Sequence, residues 1–185
     1  DIDLNIMQKE QDLTQLTSII LLKVRDVLSE FKPDLVFVHG DTTTSFVTSL
    51  ACFYAGIKIA HVEAGLRTND IHAPFPEEYN RRTTGILADY HFAPTDKSKQ
   101  NLIKEGVQKR NITVTGNTVV DSLNLILKKI EGGSNRSHLT KERLDSSLKF
   151  NWQSETFILV TGHRRENFGK GFLNICEAIK ELALE

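Results

Sequence analysis

The sequence places acidic, basic and imidazole side chains in short segments whose composition suggests acid/base chemistry. The stretch HVEAGLRTNDIHAPFPEEYNRR, residues 61–82, holds Glu63 and Glu77; Asp41 precedes it and His163 follows it. Carboxyl groups held close together have their pKa values pushed apart, which makes an acid and a base available at one place. Arginine and histidine favour an anionic ligand such as a phosphorylated sugar or a nucleotide. The residues alone therefore predict an acid/base enzyme acting on a phosphate-bearing substrate.

The predicted strands bring these groups to one edge of a sheet. Asp41 follows the apolar run DLVFV, Glu63 follows IKIAHV, and His163 follows TFILVTG. In open α/β sheets, ligands bind beyond the carboxyl ends of the strands. Glu77 and Arg81 are one helical turn apart, and the long loop after the second strand can carry them back over the same edge.

Apolar periodicity and turn residues predict an alternation of helices and strands. Strands are predicted over 34–38, 57–62, 90–94, 111–116 and 156–162. Helices are predicted over 13–28, 43–55 (closed by Gly56), 76–88, 96–105 (capped by Thr95), 118–131 and 171–185, with a polar loop over 132–143. This alternation predicts an α/β fold with a parallel sheet and helices on both faces.

Each carboxylate also has a purely structural interpretation. Asp41 stands before a threonine run and could cap a helix. Glu63 could pair with Arg67, and the sequence PEE at 76–78 suits any helix start. The gathering of all these groups at one predicted edge favours the functional interpretation.

The remaining polar candidates are weaker. His39 and His61 are interpreted as core or packing residues, and the cluster HRRE (163–166) could be a solvated turn. The sequence GDTTTS offers backbone N–H groups to an anion at a helix start, but no P-loop or GxGxxG motif is present. No tight Asp/His spacing indicates a metal, so neither a metal nor a cofactor is predicted.

Composition narrows the class of protein. The 185 residues are 39% hydrophobic and 25% charged, with a net charge of -1, so neither nucleic acid nor an anionic membrane is a predicted partner. Cys52 and Cys176 lie in apolar, helix-like segments and are predicted to be reduced, buried thiols of a cytosolic protein. The start without methionine and the end within a helical pattern are interpreted as those of an internal fragment.

Five motifs carry a resemblance to a known family. VHGDTTTS, HVEAGLRT, PFPEEYNRR, TGNTVVDSL and VTGHRRENFGKG run in the same order through nearly the whole chain. They resemble the non-hydrolysing bacterial UDP-N-acetylglucosamine 2-epimerases. The resemblance implies two Rossmann-like domains in a GT-B-type arrangement, with most of the first in 1–116 and the start of the second in 117–185.

The same resemblance implies a reaction and a set of residues. UDP-N-acetylglucosamine and UDP-N-acetylmannosamine interconvert through elimination and re-addition of UDP, without cofactor or metal. Asp41, Glu63 and Glu77 would surround the sugar, and His163 would lie near the UDP phosphates. Arg81 and Arg164 are candidates for orienting the carboxylates or contacting the ligand.

The resemblance further implies a cytoplasmic homodimer that supplies a precursor for cell-surface polysaccharide, and in some members activation by substrate at a neighbouring site. Three alternatives remain open: a hydrolysing 2-epimerase, a GT-B glycosyltransferase, and a nucleotide-sugar sensor without activity. The family's first strand, its arginine-containing phosphate loop and most of its second domain have no counterpart here. The 185-residue chain alone is therefore expected to be inactive.

Overall fold

The computed structural model describes residues 2–7, 11–132, 135–161 and 169–183. The chain divides into two compact units, Asp1–Asn117 (unit 1) and Thr118–Glu185 (unit 2). The elements of unit 1 are α1 (Leu13–Phe31), β1 (Leu35–His39), α2 (Thr43–Ala55), β2 (Lys58–Val62), α3 (Glu77–Leu87), β3 (Tyr90–Ala93), α4 (Asp96–Lys104), a 3₁₀ turn (Lys109–Asn111) and β4 (Ile112–Val114). Those of unit 2 are α5 (Thr118–Glu131), α6 (Asn135–Ser147) and α7 (Lys170–Leu182).

Unit 1 is built on a four-stranded sheet in the order β1-β2-β3-β4, and every neighbouring pair is parallel. Parallel neighbours need a long connection between them, which the helices supply. In the register, Val38 lies opposite His61, and His61 lies opposite His91. The predicted α/β class with a parallel sheet and covering helices is therefore confirmed.

Local signals in the sequence fix the ends of two helices. Gly56 follows α2 with φ 69°, in the left-handed region that glycine adopts without strain. The Thr95 side chain accepts a hydrogen bond from the Ser98 N–H at the start of α4. Both helix ends were predicted from these residues.

Two clusters of buried apolar side chains form the core of unit 1. The larger joins α1, β1, α2 and β2 through residues such as Ile20, Val47 and Ile59. The smaller joins Ala64, Ala93, Leu102 and Ile112. Removing these side chains from water is the main favourable contribution to folding. The sheet whose strand ends carry the candidate residues is therefore supported by a packed apolar core.

Two predictions for unit 2 are wrong. Residues 156–161 form no strand, whereas residue 162 lies outside the described residues. A strand needs a partner for its backbone hydrogen bonds, and the described part of unit 2 contains no other strand. The predicted polar loop over 132–143 instead contains the start of α6, where His138 and Glu142 form an i,i+4 pair at 3.1 Å.

The cysteines differ from each other. Cys52 is buried, and burial raises the pKa of its thiol to about 11. Cys176 lies on α7 and is exposed, so its predicted burial is wrong. None of the described residues of α7 is buried, although the helix itself was predicted.

Among the described residues, no helix has both the length and the apolar character needed to cross a bilayer.

Candidate functional site at the carboxyl edge of the sheet

The turn after β1 places Asp41 at the carboxyl edge of the sheet. Gly40 has φ +71° and donates its N–H to the Val62 carbonyl at 2.9 Å, which extends the β1–β2 pairing by one residue. A hydrogen bond from Ser45 Oγ to the His39 carbonyl, at 2.6 Å, ties α2 to the end of β1. Thr42, rather than Asp41, caps α2, so the carboxylate of Asp41 is free for another role.

Glu63 follows β2 and turns toward this loop. Its φ of 67° is rare for a residue with a side chain, and such backbone strain clusters at functional sites. Its Oε2 lies 3.7 Å from His39 Nε2, and its Oε1 accepts a hydrogen bond from Asn117 Nδ2 at 3.2 Å. A Cβ at Gly40 would lie 3.3 Å from Glu63 Oε2, so glycine allows this close approach.

Helix α3 brings a third set of polar groups to Asp41. Arg81 Nη2 lies 2.8 Å from Asp41 Oδ2, and Asn80 Nδ2 donates to the Asp41 carbonyl at 2.9 Å. Arg81 Nε also makes a long hydrogen bond, 3.4 Å, to the carbonyl of Glu77. Glu77 Oε2 is buried and has no hydrogen-bond partner among the described residues.

The structure therefore joins the predicted site residues in two groups. Asp41 and Arg81 are in direct contact, and Arg81 contacts the backbone of Glu77. Glu63 meets the same β1 loop through His39 and Gly40. His163 and Arg164, with the rest of the HRRE cluster, lie outside the described residues.

The purely structural interpretation of Glu63 required it to pair with Arg67, but Glu63 has other partners. Arg67 pairs with Glu105 through two hydrogen bonds of 2.7 Å each, and the Arg67 side chain is 1% exposed. This Arg67 guanidinium, with burial opposing it, holds the pKa of Glu105 below its ordinary value. Because Arg67 is engaged there, Glu63 remains a candidate for the site.

The two histidines interpreted as packing residues behave differently. His61 is buried and its Nε2 lies 2.8 Å from the Gly40 carbonyl, to which it must donate. Burial lowers the pKa of His61 to about 4 against the effect of that hydrogen bond, with smaller contributions from neighbouring His91, Arg67 and His39. His61 is thus a neutral support for the β1 turn, as interpreted. The side chain of His39 is 56% exposed, so its packing interpretation is wrong.

Three residues near the site were not singled out from the sequence as site residues: Glu78, Asn117 and His39. Glu78 is fully buried. The arginines three and four positions after it, Arg81 and Arg82, were the signal in the sequence that could have identified it. Asn117 contacts Glu63 across 54 positions of sequence, which no local pattern indicates. Within the described part of the chain, no group of three or more histidine, cysteine or acidic side chains could hold a metal ion.

A Rossmann-like sheet with carboxylates and an arginine at its carboxyl edge is a common setting for nucleotide ligands. The family model described as UDP-N-acetylglucosamine 2-epimerase matches residues 1–185, and the chain belongs to this family.

Individual relatives agree with the family assignment. The chain is 55% identical over 184 residues to a UDP-N-acetylglucosamine 2-epimerase of Campylobacter jejuni, covering all of this chain and 48% of that relative. The UDP-GlcNAc 2-epimerase of Neisseria meningitidis, solved bound to UDP-GlcNAc, matches with a TM-score of 0.90 and 47% identity over 99% of this chain and 48% of that one. The Methanocaldococcus jannaschii UDP-GlcNAc 2-epimerase, in complex with UDP-GlcNAc and UDP, matches with a TM-score of 0.83 and 36% identity over 96% and 46%. These neighbours have a GT-B-like fold, and the chain spans about half the length of the curated relatives that it matches.

Proposed function

We propose that this chain is part of an enzyme that interconverts UDP-N-acetylglucosamine and UDP-N-acetylmannosamine. The observation that carries the proposal is the meeting of the β1 and β2 strand ends with α3, where Asp41 contacts Arg81 and Glu63 faces the β1 turn. The family match over residues 1–185 and the relatives solved with UDP-GlcNAc support this substrate class. In the proposed division, 1–116 and 117–185 belong to two successive Rossmann-like domains.

The chemistry requires more than one carboxylate. One carboxylate removes the proton from C2 while the bond from C1 to the UDP oxygen breaks, and a double bond forms between C1 and C2. Flanking carboxylates stabilise the positive charge that develops at C1. UDP then adds back to C1 as an acid delivers a proton to the opposite face of C2. Asp41, Glu63 and Glu77 are proposed to share these roles.

The leaving diphosphate needs positive charge or hydrogen-bond donors. His163 and Arg164 are proposed for this role on the basis of the motif VTGHRRENFGKG. Arg81 is proposed to orient Asp41, since it already lies 2.8 Å from that carboxylate. Neither a metal nor a cofactor is part of this scheme.

Proton NMR of the complete gene product with UDP-N-acetylglucosamine in deuterated water tests the proposal. We expect deuterium at C2 of both nucleotide sugars. D41N, E63Q and E77Q should each lower kcat about 100-fold or more, whereas D26N, which neutralises an exposed carboxylate of α1, should not. Free N-acetylmannosamine would indicate a hydrolysing enzyme, and unchanged substrate a sensor or a transferase; either result would contradict the proposal.

Three broader statements belong to the same proposal and rest on the family resemblance. The complete protein is proposed to be cytoplasmic, to supply a precursor of cell-surface polysaccharide, and to form a homodimer. Sedimentation velocity of the complete gene product tests the homodimer, and a monomer at micromolar concentration would contradict it. The 185-residue chain alone, about half the length of its relatives, is expected to show no turnover in the NMR assay.

A further inference from the structure

Glu78 is the most deeply buried charged residue near the candidate site. Its side chain is 0% exposed, although an isolated carboxylate is costly to remove from water. Two backbone N–H groups donate to it, from Thr68 to Oε2 at 3.1 Å and from Asn69 to Oε1 at 3.3 Å. Such a site is retained only where its partners compensate for the lost hydration.

Two arginines from the same helix complete the surroundings of Glu78. Arg81 Nε lies 3.7 Å from its Oε2, and Arg82 Nε lies 3.8 Å from its Oε1. Arg82 Nη2 is also 3.8 Å from Glu105 Oε1. The charges therefore alternate in sign from Asp41 through Arg81, Glu78 and Arg82 to Glu105.

Arg81 connects this buried charge to the candidate site. Its Nη2 contacts Asp41 at 2.8 Å while its Nε faces Glu78, and its side chain is only 11% exposed. A planar guanidinium held by carboxylates on two sides has little freedom to rotate. Glu78 therefore fixes the direction from which Arg81 approaches Asp41.

Glu78 also fixes the loop that precedes α3. The hydrogen bonds to Thr68 and Asn69 attach the loop after β2 to the first turn of α3. Within that loop, Thr68 Oγ1 donates to the Ala73 carbonyl at 2.6 Å. One carboxylate thus holds together the loop after β2, the start of α3 and, through Arg81, the turn after β1.

We propose that Glu78 is a positioning residue for the reaction: it acts through Arg81 to hold Asp41 in its working geometry. This inference rests on the proposed function and deepens it. Glu78 has no exposed surface for a substrate to touch, so its effect is indirect. It should act on kcat, because a small displacement of a reacting group lowers the rate steeply while much of the substrate binding is retained.

The test uses E78Q in the complete gene product, with E105Q as the matched control. Both variants remove one carboxylate from the same chain of charges, but Glu105 pairs with Arg67 and Arg82 and has no contact with Arg81 or Asp41 in the described structure. We expect E78Q to lower kcat about 10- to 100-fold with KM changed by less than about 3-fold. E105Q should leave kcat within about 3-fold. Equal losses of kcat in the two variants would overturn the proposal.

A double-mutant cycle with R81Q separates positioning from a general loss of stability. If Glu78 acts through Arg81, E78Q should change kcat by less than about 3-fold in the R81Q background. The same loss in both backgrounds would overturn the proposal. Should E78Q fail to fold, E78D, which keeps the charge but shortens the side chain, is carried through the same cycle with the same two outcomes.

Hydrogen exchange gives a measurement that does not depend on the reaction. E78Q should speed amide exchange at Thr68 and Asn69 and in the turn around Asp41, whereas E105Q should leave the Asp41 turn unchanged. An unchanged Asp41 turn in E78Q would overturn the positioning role. If E78Q alters exchange in the Asp41 turn but the wild-type protein shows no epimerisation, the proposed function is overturned, whereas the structural link from Glu78 to Asp41 stands.

Discussion

Units 1 and 2 both contain amphipathic helices, yet among the described residues only unit 1 buries apolar side chains. Unit 1 has fully buried side chains such as Ile20, Ile59 and Leu102, which come from elements far apart in sequence. In unit 2, the helices α5 and α7 have no buried residue among those described, and Ile158 is 89% exposed. A helix makes its backbone hydrogen bonds within one segment, whereas a strand and a core need partners from elsewhere in the chain.

The comparison can be measured because each unit has its own probe. Trp152 is the only tryptophan and lies in unit 2, where its Nε1 donates to Asp145 at 2.7 Å. Its fluorescence reports unit 2, while hydrogen exchange of sheet amides reports unit 1. The predictions below test which unit responds to each substitution.

The largest difference in stability loss is expected at two glycines with similar φ angles. Gly65 has φ +89°, and a Cβ there would lie 2.3 Å from the Ser98 carbonyl oxygen; Gly169 in unit 2 has φ +83° with nothing within 4 Å. G65A should cost more than about 4 kcal/mol or prevent folding of unit 1, because backbone cannot move aside cheaply. G169A should cost about 1–3 kcal/mol through backbone strain alone. Urea unfolding of both variants, followed by the two probes, tests this; equal losses would contradict it.

Two helical leucines give a matched test of burial. Leu102 on α4 is 0% exposed and Leu123 on α5 is 56% exposed. L102A should lower the free energy of unfolding of unit 1 by about 2–5 kcal/mol, because it removes buried surface and leaves a cavity. L123A should change stability by about 0.5 kcal/mol or less. A loss above about 2 kcal/mol in L123A would show that unit 2 has a core that its exposed surface does not suggest.

The same contrast explains which elements could be predicted from sequence. The ends of α2 at Gly56 and of α4 at Thr95 depend on residues beside them, and both were predicted correctly. The strand expected over 156–162 was wrong for 156–161 because its apolar run could not reveal whether a partner strand exists. The helix α6 was missed because its polar sequence carries no apolar periodicity, only an i,i+4 pair.

The candidate site shows the same difference between features that the local sequence predicts and features that depend on distant partners. The positions of Asp41 and Glu63 at one edge followed from the rule for parallel sheets. The pairing of Arg67 with Glu105 spans 38 positions, and the contact of Asn117 with Glu63 spans 54. Such partners depend on how loops return to the sheet, which local patterns do not encode. The PEE motif identified a helix start but could not show that Glu78 is buried.

Acid should destabilise unit 1 mainly through the buried His61. The folded pKa of His61 is about 4, below the ordinary 6.5, so unfolding takes up a proton between these values. The stability is fully present above pH 6.5 and falls by about 3 kcal/mol as the pH drops to 4. Burial also lowers the pKa of His91 and adds to the loss in the same direction.

Urea midpoints of unit 1 measured at pH 7 and pH 4.5 test this dependence. H61Q keeps an N–H near the position of Nε2 but does not titrate, so its midpoints should differ less between the two pH values. H138Q is the control in unit 2, because the side chain of His138 is 80% exposed. If the urea midpoints of H61Q differ between the two pH values as much as those of the wild type, the assignment to His61 is contradicted.

The smallest expected effect concerns the helix caps of unit 1. Thr95 Oγ1 accepts the Ser98 N–H at 3.1 Å and lies 3.0 Å from Ser98 Oγ, whereas α7 in unit 2 begins at Gly169 without a side-chain cap. T95A should lower the stability of unit 1 by about 1 kcal/mol, and T95S, which keeps the hydroxyl, by less. Hydrogen exchange at the start of α4 should show the loss, while the Trp152 transition stays in place. A shift of that transition in T95A would mean that the two units do not unfold independently.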